Sequence, residues 1–172
     1  LDMPKVSFHI ALMPRELSPH GAEDVEFRIS ANAGEDIRPL SLVASGGELS
    51  RVMLAVKSVV SDDDSGITVI YDEIDAGVSG ATSGKIGLQL RKTAQGGQTI
   101  CVTHSAQIAA MADTHLLVSK IERDGRAETK VTPLSGEARV NEVARIIGGI
   151  NVTETQRKAA VDLLAEGARI TK

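Results

Sequence analysis

Ile67-Thr68-Val69-Ile70-Tyr71-Asp72-Glu73 is the stretch on which the fold turns. Its apolar, β-branched run lacks the alternation of a half-exposed strand, which predicts a strand buried on both faces, and it stops at two carboxylates. A second run, Thr99-Ile100-Cys101-Val102-Thr103, ends at His104. The segment between them, residues 80–95, has the length of a crossover helix, so two adjacent parallel strands are expected. Ser105 then caps a short helix carrying Ile108, Met111 and Ala112, and His115-Leu116-Leu117-Val118-Ser119 returns as a strand. This alternation predicts an α/β fold, a largely parallel sheet flanked by helices.

Toward the N-terminus, residues 5–12 and 25–31 alternate polar and apolar with a period of two, as half-buried antiparallel strands do, and Pro14, Pro19, His20 and Gly21 read as the loop between them. Leu49, Val52, Met53 and Val56 recur at helical spacing, with Val59 and Val60 on the same face, predicting an amphipathic helix over 47–60 that Asp62-Asp63-Asp64-Ser65-Gly66 ends. Toward the C-terminus, residues 128–132 read as an edge strand. Val140, Val143, Ala144 and Ile147 mark a helix ended by Gly148-Gly149. Thr153-Glu154-Thr155-Gln156 is a capping box opening a last helix with Leu163 and Leu164 on its apolar side. No repeat or linker interrupts the pattern, and residues 1–172 read as one domain.

Composition narrows the function. The 172 residues are 42% hydrophobic and 24% charged, enough for a real core, and the net charge of −4 gives no general attraction to nucleic acid or to an anionic membrane. Any DNA contact must be local. Aromatics are only 2% of the chain, which argues against base-stacking platforms, and Arg123, Arg126 and Lys130 read as a solvated hairpin. The single Cys101 excludes an internal disulfide and a multi-cysteine zinc site and reads as a small buried hydrophobe. No apolar run approaches the ~20 residues of a membrane span and no signal peptide opens the chain, so a reducing cytoplasm is expected. The start at Leu1, without an initiator Met, is expected of a fragment or a processed product.

Three short motifs carry possible chemistry. Ser45-Gly46-Gly47-Glu48 stands where a helix begins. Ser-x-x-Glu is a capping box needing no ligand, yet two glycines exceed what a cap requires and leave bare N–H groups that attract phosphate; both readings stand on these residues. Asp72-Glu73 at the end of an apolar strand has the Walker B pattern, in which the Asp anchors Mg²⁺ and the Glu orients or deprotonates the attacking water; capping by Asp72 with a solvated Glu73 is the bland alternative. His104 follows the neighbouring strand, so both sets of side chains emerge at one sheet edge, where a histidine can hydrogen-bond a γ-phosphate. His9, His20 and His115 have no such setting. No Gly-x-x-x-x-Gly-Lys-[Ser/Thr] occurs; its lookalike, Ser79-Gly80-Ala81-Thr82-Ser83-Gly84-Lys85-Ile86, has the wrong spacing and reads as a loop and helix start.

The order of these signals resembles the C-terminal lobe of an ABC-type ATPase head of the SMC-like class. Val43-Ala44-Ser45-Gly46-Gly47-Glu48-Leu49-Ser50-Arg51, Asp72-Glu73-Ile74-Asp75-Ala76-Gly77-Val78-Ser79-Gly80 and Val102-Thr103-His104-Ser105-Ala106-Gln107-Ile108-Ala109-Ala110-Met111-Ala112-Asp113 look like the corresponding strings of its bacterial DNA-repair members. The likeness is strongest over 39–121. It implies that Ser45, Gly46, Gly47 and Glu48 are the ABC signature, that Asp72 (metal) and Glu73 (catalytic) are Walker B, that Ser79 lies in the D-loop and that His104 is the switch histidine. Ala44 stands where many relatives have Leu, and Val78-Ser79 replaces Leu-Asp. The resemblance further implies ATP and Mg²⁺ as cofactors, and as partners an N-terminal Walker A lobe of the same protein, a second head in an ATP-dependent dimer, and DNA. In such a dimer the signature of one head completes the phosphate cage of the other. The activity implied is ATP hydrolysis in double-strand break repair and recombination, in the bacterial cytoplasm at the nucleoid. A magnesium-dependent nuclease or Toprim-like domain using Asp72, Glu73 and Asp75 is the rival enzyme. A non-catalytic scaffold is the third reading.

Overall fold

A computed structural model describes residues 5–30, 34, 36–42, 45–60, 66–123 and 126–169. Val43, Ala44 and Asp62-Asp63-Asp64 lie outside the described residues, as does the side chain of Arg123. The alternating N-terminal segments form a hairpin of β1 (Ser7–Ser18) and β2 (Gly21–Ser30), and a short β3 (Arg38–Pro39) pairs with β2. Phe8, Ile10 and Leu12 lie opposite Ile29, Phe27 and Val25, and the Phe8 and Phe27 rings stack with centroids 5.7 Å apart. The loop expected over Pro14–Gly21 shrinks to Pro19-His20, because β1 runs on to Ser18 through a register shift after Pro14. As an edge strand, β1 tolerates a residue with no N–H to donate.

The predicted helix is α1 (Gly46–Val60), but its inward face only partly follows the predicted one. Gly47, Arg51 and Leu54, at i, i+4 and i+7, are buried with Val52, whereas Met53, Val59 and Val60 face outward, Val59 with 84% of its surface exposed. Apolar periodicity does not mark a buried arginine such as Arg51. The decisive parallel pair is present: β4 (Thr68–Tyr71) and β5 (Gln98–Cys101) run side by side, with Val69 opposite Thr99 and Tyr71 opposite Cys101, joined through α2 (Gly80–Thr93).

Two expectations for this layer need correction. The pair is buried on one face only: Val69, Tyr71 and Cys101 pack inward, while Ile70 is 66% exposed and Ile100 lies on the same open face. Nor is the sheet largely parallel, because β4 and β5 are the only parallel pair among the described residues. After α3 (Ala106–Met111), β6 (His115–Arg123) turns back onto β7 (Arg126–Leu134) as a separate antiparallel hairpin, Leu117 opposite Thr132. An Asp-Gly dipeptide separates those two segments in the sequence, a composition that favours a tight antiparallel return over another crossover.

Two apolar clusters hold the elements together. Leu54, Tyr71, Ile74, Ile86, Leu90 and Ile108 join α1, β4, α2 and α3, while Ala106, Val143, Ala144 and Ala160 join α3 to α4 (Gly136–Gly148) and α5 (Glu154–Arg169). On α4, Ile146 packs inward and Ile147 outward, one position from the expected stripe. The capping box at α5 is reciprocal: Thr153 N–H donates to Gln156 Oε1 at 2.8 Å, and Gln156 N–H to Thr153 Oγ1 at 3.3 Å. Among the described residues no helix is long and apolar enough to cross a membrane.

Candidate functional site

Because β4 and β5 are parallel and end level, Tyr71 opposite Cys101, the chain leaves both at the same sheet edge. Asp72, Glu73 and His104 all stand there as exposed residues, at the carboxyl ends of the strands where open α/β sheets bind ligands. Glu73 is the only non-glycine residue with positive φ among those described, at 54°, a conformation costing of order 1–3 kcal/mol that persists only when its surroundings hold it.

Those surroundings are the first two turns of α1. Ser50 Oγ donates to the Asp72 carbonyl at 2.9 Å, and the buried Arg51, 6% exposed, donates from Nη1 to the carbonyls of Ile74 at 3.1 Å and Ala76 at 3.0 Å. Ala76 N–H closes the turn onto the Glu73 carbonyl at 2.9 Å. Gly47 is required by close approach: a Cβ there would lie 2.8 Å from the Glu73 carbonyl oxygen. A Cβ on Gly46 would stand 3.5 Å from Glu73 Oε2, which places the N-terminal turn of α1 beside the Glu73 carboxylate. A helix N-terminus of this kind suits an anion. Ser45 Oγ accepts from Glu48 N–H at 3.4 Å, the cap that the spacing predicts.

Across the edge, Asp75 reaches toward β5. Its Oδ2 accepts from Thr103 Oγ1 at 2.6 Å and from the His104 backbone N–H at 2.9 Å, and Ser105 N–H donates to Thr103 Oγ1 at 2.9 Å. Ser105 caps α3 by accepting from Ile108 N–H at 3.5 Å. Ser79 is the N-cap of α2, its Oγ accepting from Thr82 N–H at 3.4 Å and lying 3.1 Å from Thr82 Oγ1. Cys101, just below the edge, has its thiol pushed up to about 12, first by burial and then by Asp75 and Asp72; it is protonated at neutral pH and no nucleophile.

The fold brings the sequence candidates Asp72, Glu73, His104 and the Ser45 turn to one region. Ser50, Arg51 and Asp75, which hold the Glu73 turn and the His104 loop, were missed as anchors. Only the placement of Arg51 four residues after Gly47 could have signalled one of them. The carboxylate cluster of the nuclease reading does not assemble: Asp75 turns to Thr103 and His104, and among the described residues no group of three or more His, Cys, Asp or Glu could hold a metal. A single exposed carboxylate such as Asp72 does fit Mg²⁺ that is carried largely by water and phosphate oxygens.

The fold and this edge define the class: the chain has the fold of SMC head domains. It superposes on the Smc head domain with a coiled coil and joint from Pyrococcus yayanosii with a TM-score of 0.56, 25% identity and 82% of this chain and 26% of that one covered. The Smc head bound to the C-winged helix domain of ScpA matches with a TM-score of 0.51, 26% identity, and 78% and 39% covered. In sequence the chain is a homologue of the DNA repair protein RecN. It is 45% identical to RecN of Bacillus subtilis over 157 residues, 91% of this chain, and 45% identical to RecN of Deinococcus radiodurans over 166 residues, 96% of this chain. It spans 27% and 29% of the length of those two relatives. No family model matches the chain.

Proposed function

We propose that residues 1–172 form one domain, the C-terminal lobe of an ATPase head in a RecN-like protein of DNA double-strand break repair and recombination. The observation that supports this best is the shared edge where Glu73, held at positive φ, and His104 emerge from paired parallel strands. Bound Mg·ATP supplies the phosphoryl group to be cleaved and a cation that neutralises its charge. Asp72 would hold that cation, largely through water, with its exposed carboxylate. Glu73 orients the attacking water and accepts its proton on a carboxylate oxygen, and the His104 imidazole hydrogen-bonds the γ-phosphate. Ser45, Gly46, Gly47 and Glu48 present a helix N-terminus to nucleotide held by a second head, with Ser79 near that junction. The Walker A lobe of the same protein, the second head and DNA are the partners, and the bacterial cytoplasm is the setting.

Glu73 tests the reading. In the full-length protein containing this chain, Glu73→Gln should leave ATP binding and head dimerisation intact and lower turnover at least about a hundredfold, the scale of lost general-base catalysis. Steady-state hydrolysis with equilibrium nucleotide binding measures both. Normal turnover by the variant removes Glu73 from catalysis.

A further inference from the structure

The carboxylate of Asp75 is engaged inside the chain through Oδ2. It lies three residues beyond the metal-side Asp72, yet its Oδ2 takes two hydrogen bonds from the neighbouring loop, 28 and 29 residues away in sequence. One donor is the Thr103 hydroxyl at 2.6 Å; the other is the backbone N–H of His104 at 2.9 Å. The hydroxyl so oriented accepts Ser105 N–H, so three successive residues, 103–105, are fixed by one carboxylate before α3 begins at Ala106. The donors and the acceptor lie in the loops that follow two different strands, β5 and β4. Val102 N–H to the Tyr71 carbonyl, at 2.9 Å, is the last rung of the parallel pair. Beyond that rung, the Asp75 carboxylate continues the connection.

We propose that Asp75 is a positioning residue: it fixes the backbone of His104, and so sets where the imidazole stands relative to Glu73. The other end of the link is equally fixed. Asp75 sits inside the Asp72–Ala76 turn, whose carbonyls on either side of it are held by Arg51 Nη1. Movement of α1 at Ser45 would therefore reach both Glu73 and His104 through one turn. A hydrogen bond from backbone N–H to carboxylate is charge-assisted and short-ranged, which suits it to setting a position rather than adding bulk. The proposal rests on His104 acting in ATP turnover, and the experiment separates the two claims.

Asp75→Ala, Asp75→Asn, His104→Ala and the Asp75→Ala/His104→Ala double variant of the full-length protein provide the test, read by ATP turnover and by hydrogen exchange at the His104 amide. Asp75→Ala should lower kcat about tenfold or more with KM for ATP changed less than about twofold, and in the His104→Ala background it should cost less than about twofold further. The His104 amide should exchange at least about tenfold faster in Asp75→Ala. Asn, which keeps an oxygen acceptor of the same reach, should restore both readouts. Losses that multiply in the double variant, an unchanged amide, or failure of Asn to rescue would overturn the proposal. Full turnover by His104→Ala would instead defeat the ATPase role of that histidine, and the amide exchange of Asp75→Ala would then decide the tether alone.

Discussion

Two adjacent glycines behave differently in this structure, and the difference is steric. A methyl group on Gly46 would meet Glu73 Oε2 at ordinary contact distance, 3.5 Å, whereas on Gly47 it would press against the Glu73 carbonyl at 2.8 Å and Ala76 Cβ at 3.0 Å. The first neighbour is the end of a flexible side chain; the others belong to a turn already held by Arg51 and Ser50. Gly47→Ala should therefore destabilise the fold by about 1–3 kcal/mol, the scale of an overpacked core, and Gly46→Ala by less than about 1 kcal/mol. Denaturant midpoints compare them. Equal losses would mean that the turn yields and does not clamp Glu73. Arg51 follows the same logic: its burial made the apolar stripe of α1 a poor guide, because the helix turns inward the residue that satisfies two carbonyls in place of the most apolar side.

At the scale of elements, α3 shows how a six-residue helix is kept in place. Its C-terminal carbonyls are covered by two arginines: Arg139 Nη2 reaches Ala109, Ala110 and Ala112 at 3.2, 3.3 and 2.6 Å, while Arg91 bonds the Met111 carbonyl and pairs with Asp113 at 2.7 Å. Where β6 begins, His115 lies partly buried against the same arginine. Its pKa is lowered, chiefly by burial and then by Arg139, with Glu142 opposing. The unfolded chain therefore binds this proton more readily, and stability contributed by the neutral ring is present above about pH 6.5 and lost as pH falls below it. His115→Gln should flatten that acid limb when denaturation midpoints are followed from pH 7 to pH 5; an unchanged slope would assign the loss to other groups. Most elements were legible in the sequence because their signals are local: the Ser105 cap, the Thr153 capping box, the period-two alternation of β1 and β2, and the carboxylates ending β4. What was not legible depends on partners distant in the chain. Neither the open outer face of Ile70 and Ile100 nor the grip of Asp75 on residues 103–104 leaves a mark in any short window.

Over the whole molecule, the inward side of the β4–β5 pair is packed and the opposite side shows Ile70 and Ile100, while the β1–β2 hairpin exposes Phe8, Ile10, Leu12, Val25 and Phe27 on one face. Contiguous apolar surfaces of that kind mark interaction sites, which the proposed assembly into a larger head would cover. The proposed division of labour has one consequence that no single variant reveals. If Ser45 serves nucleotide held by the opposite head and Glu73 serves nucleotide held by its own, defects in the two residues are complementary. Full-length Ser45→Arg and Glu73→Gln proteins should each hydrolyse ATP poorly, but mixed heads contain one junction with an intact Ser45 facing an intact Glu73. The direct measurement is ATP turnover by the mixture: a clear rise above either variant alone is the expected result, and a rate no higher than the average of the two would contradict the arrangement.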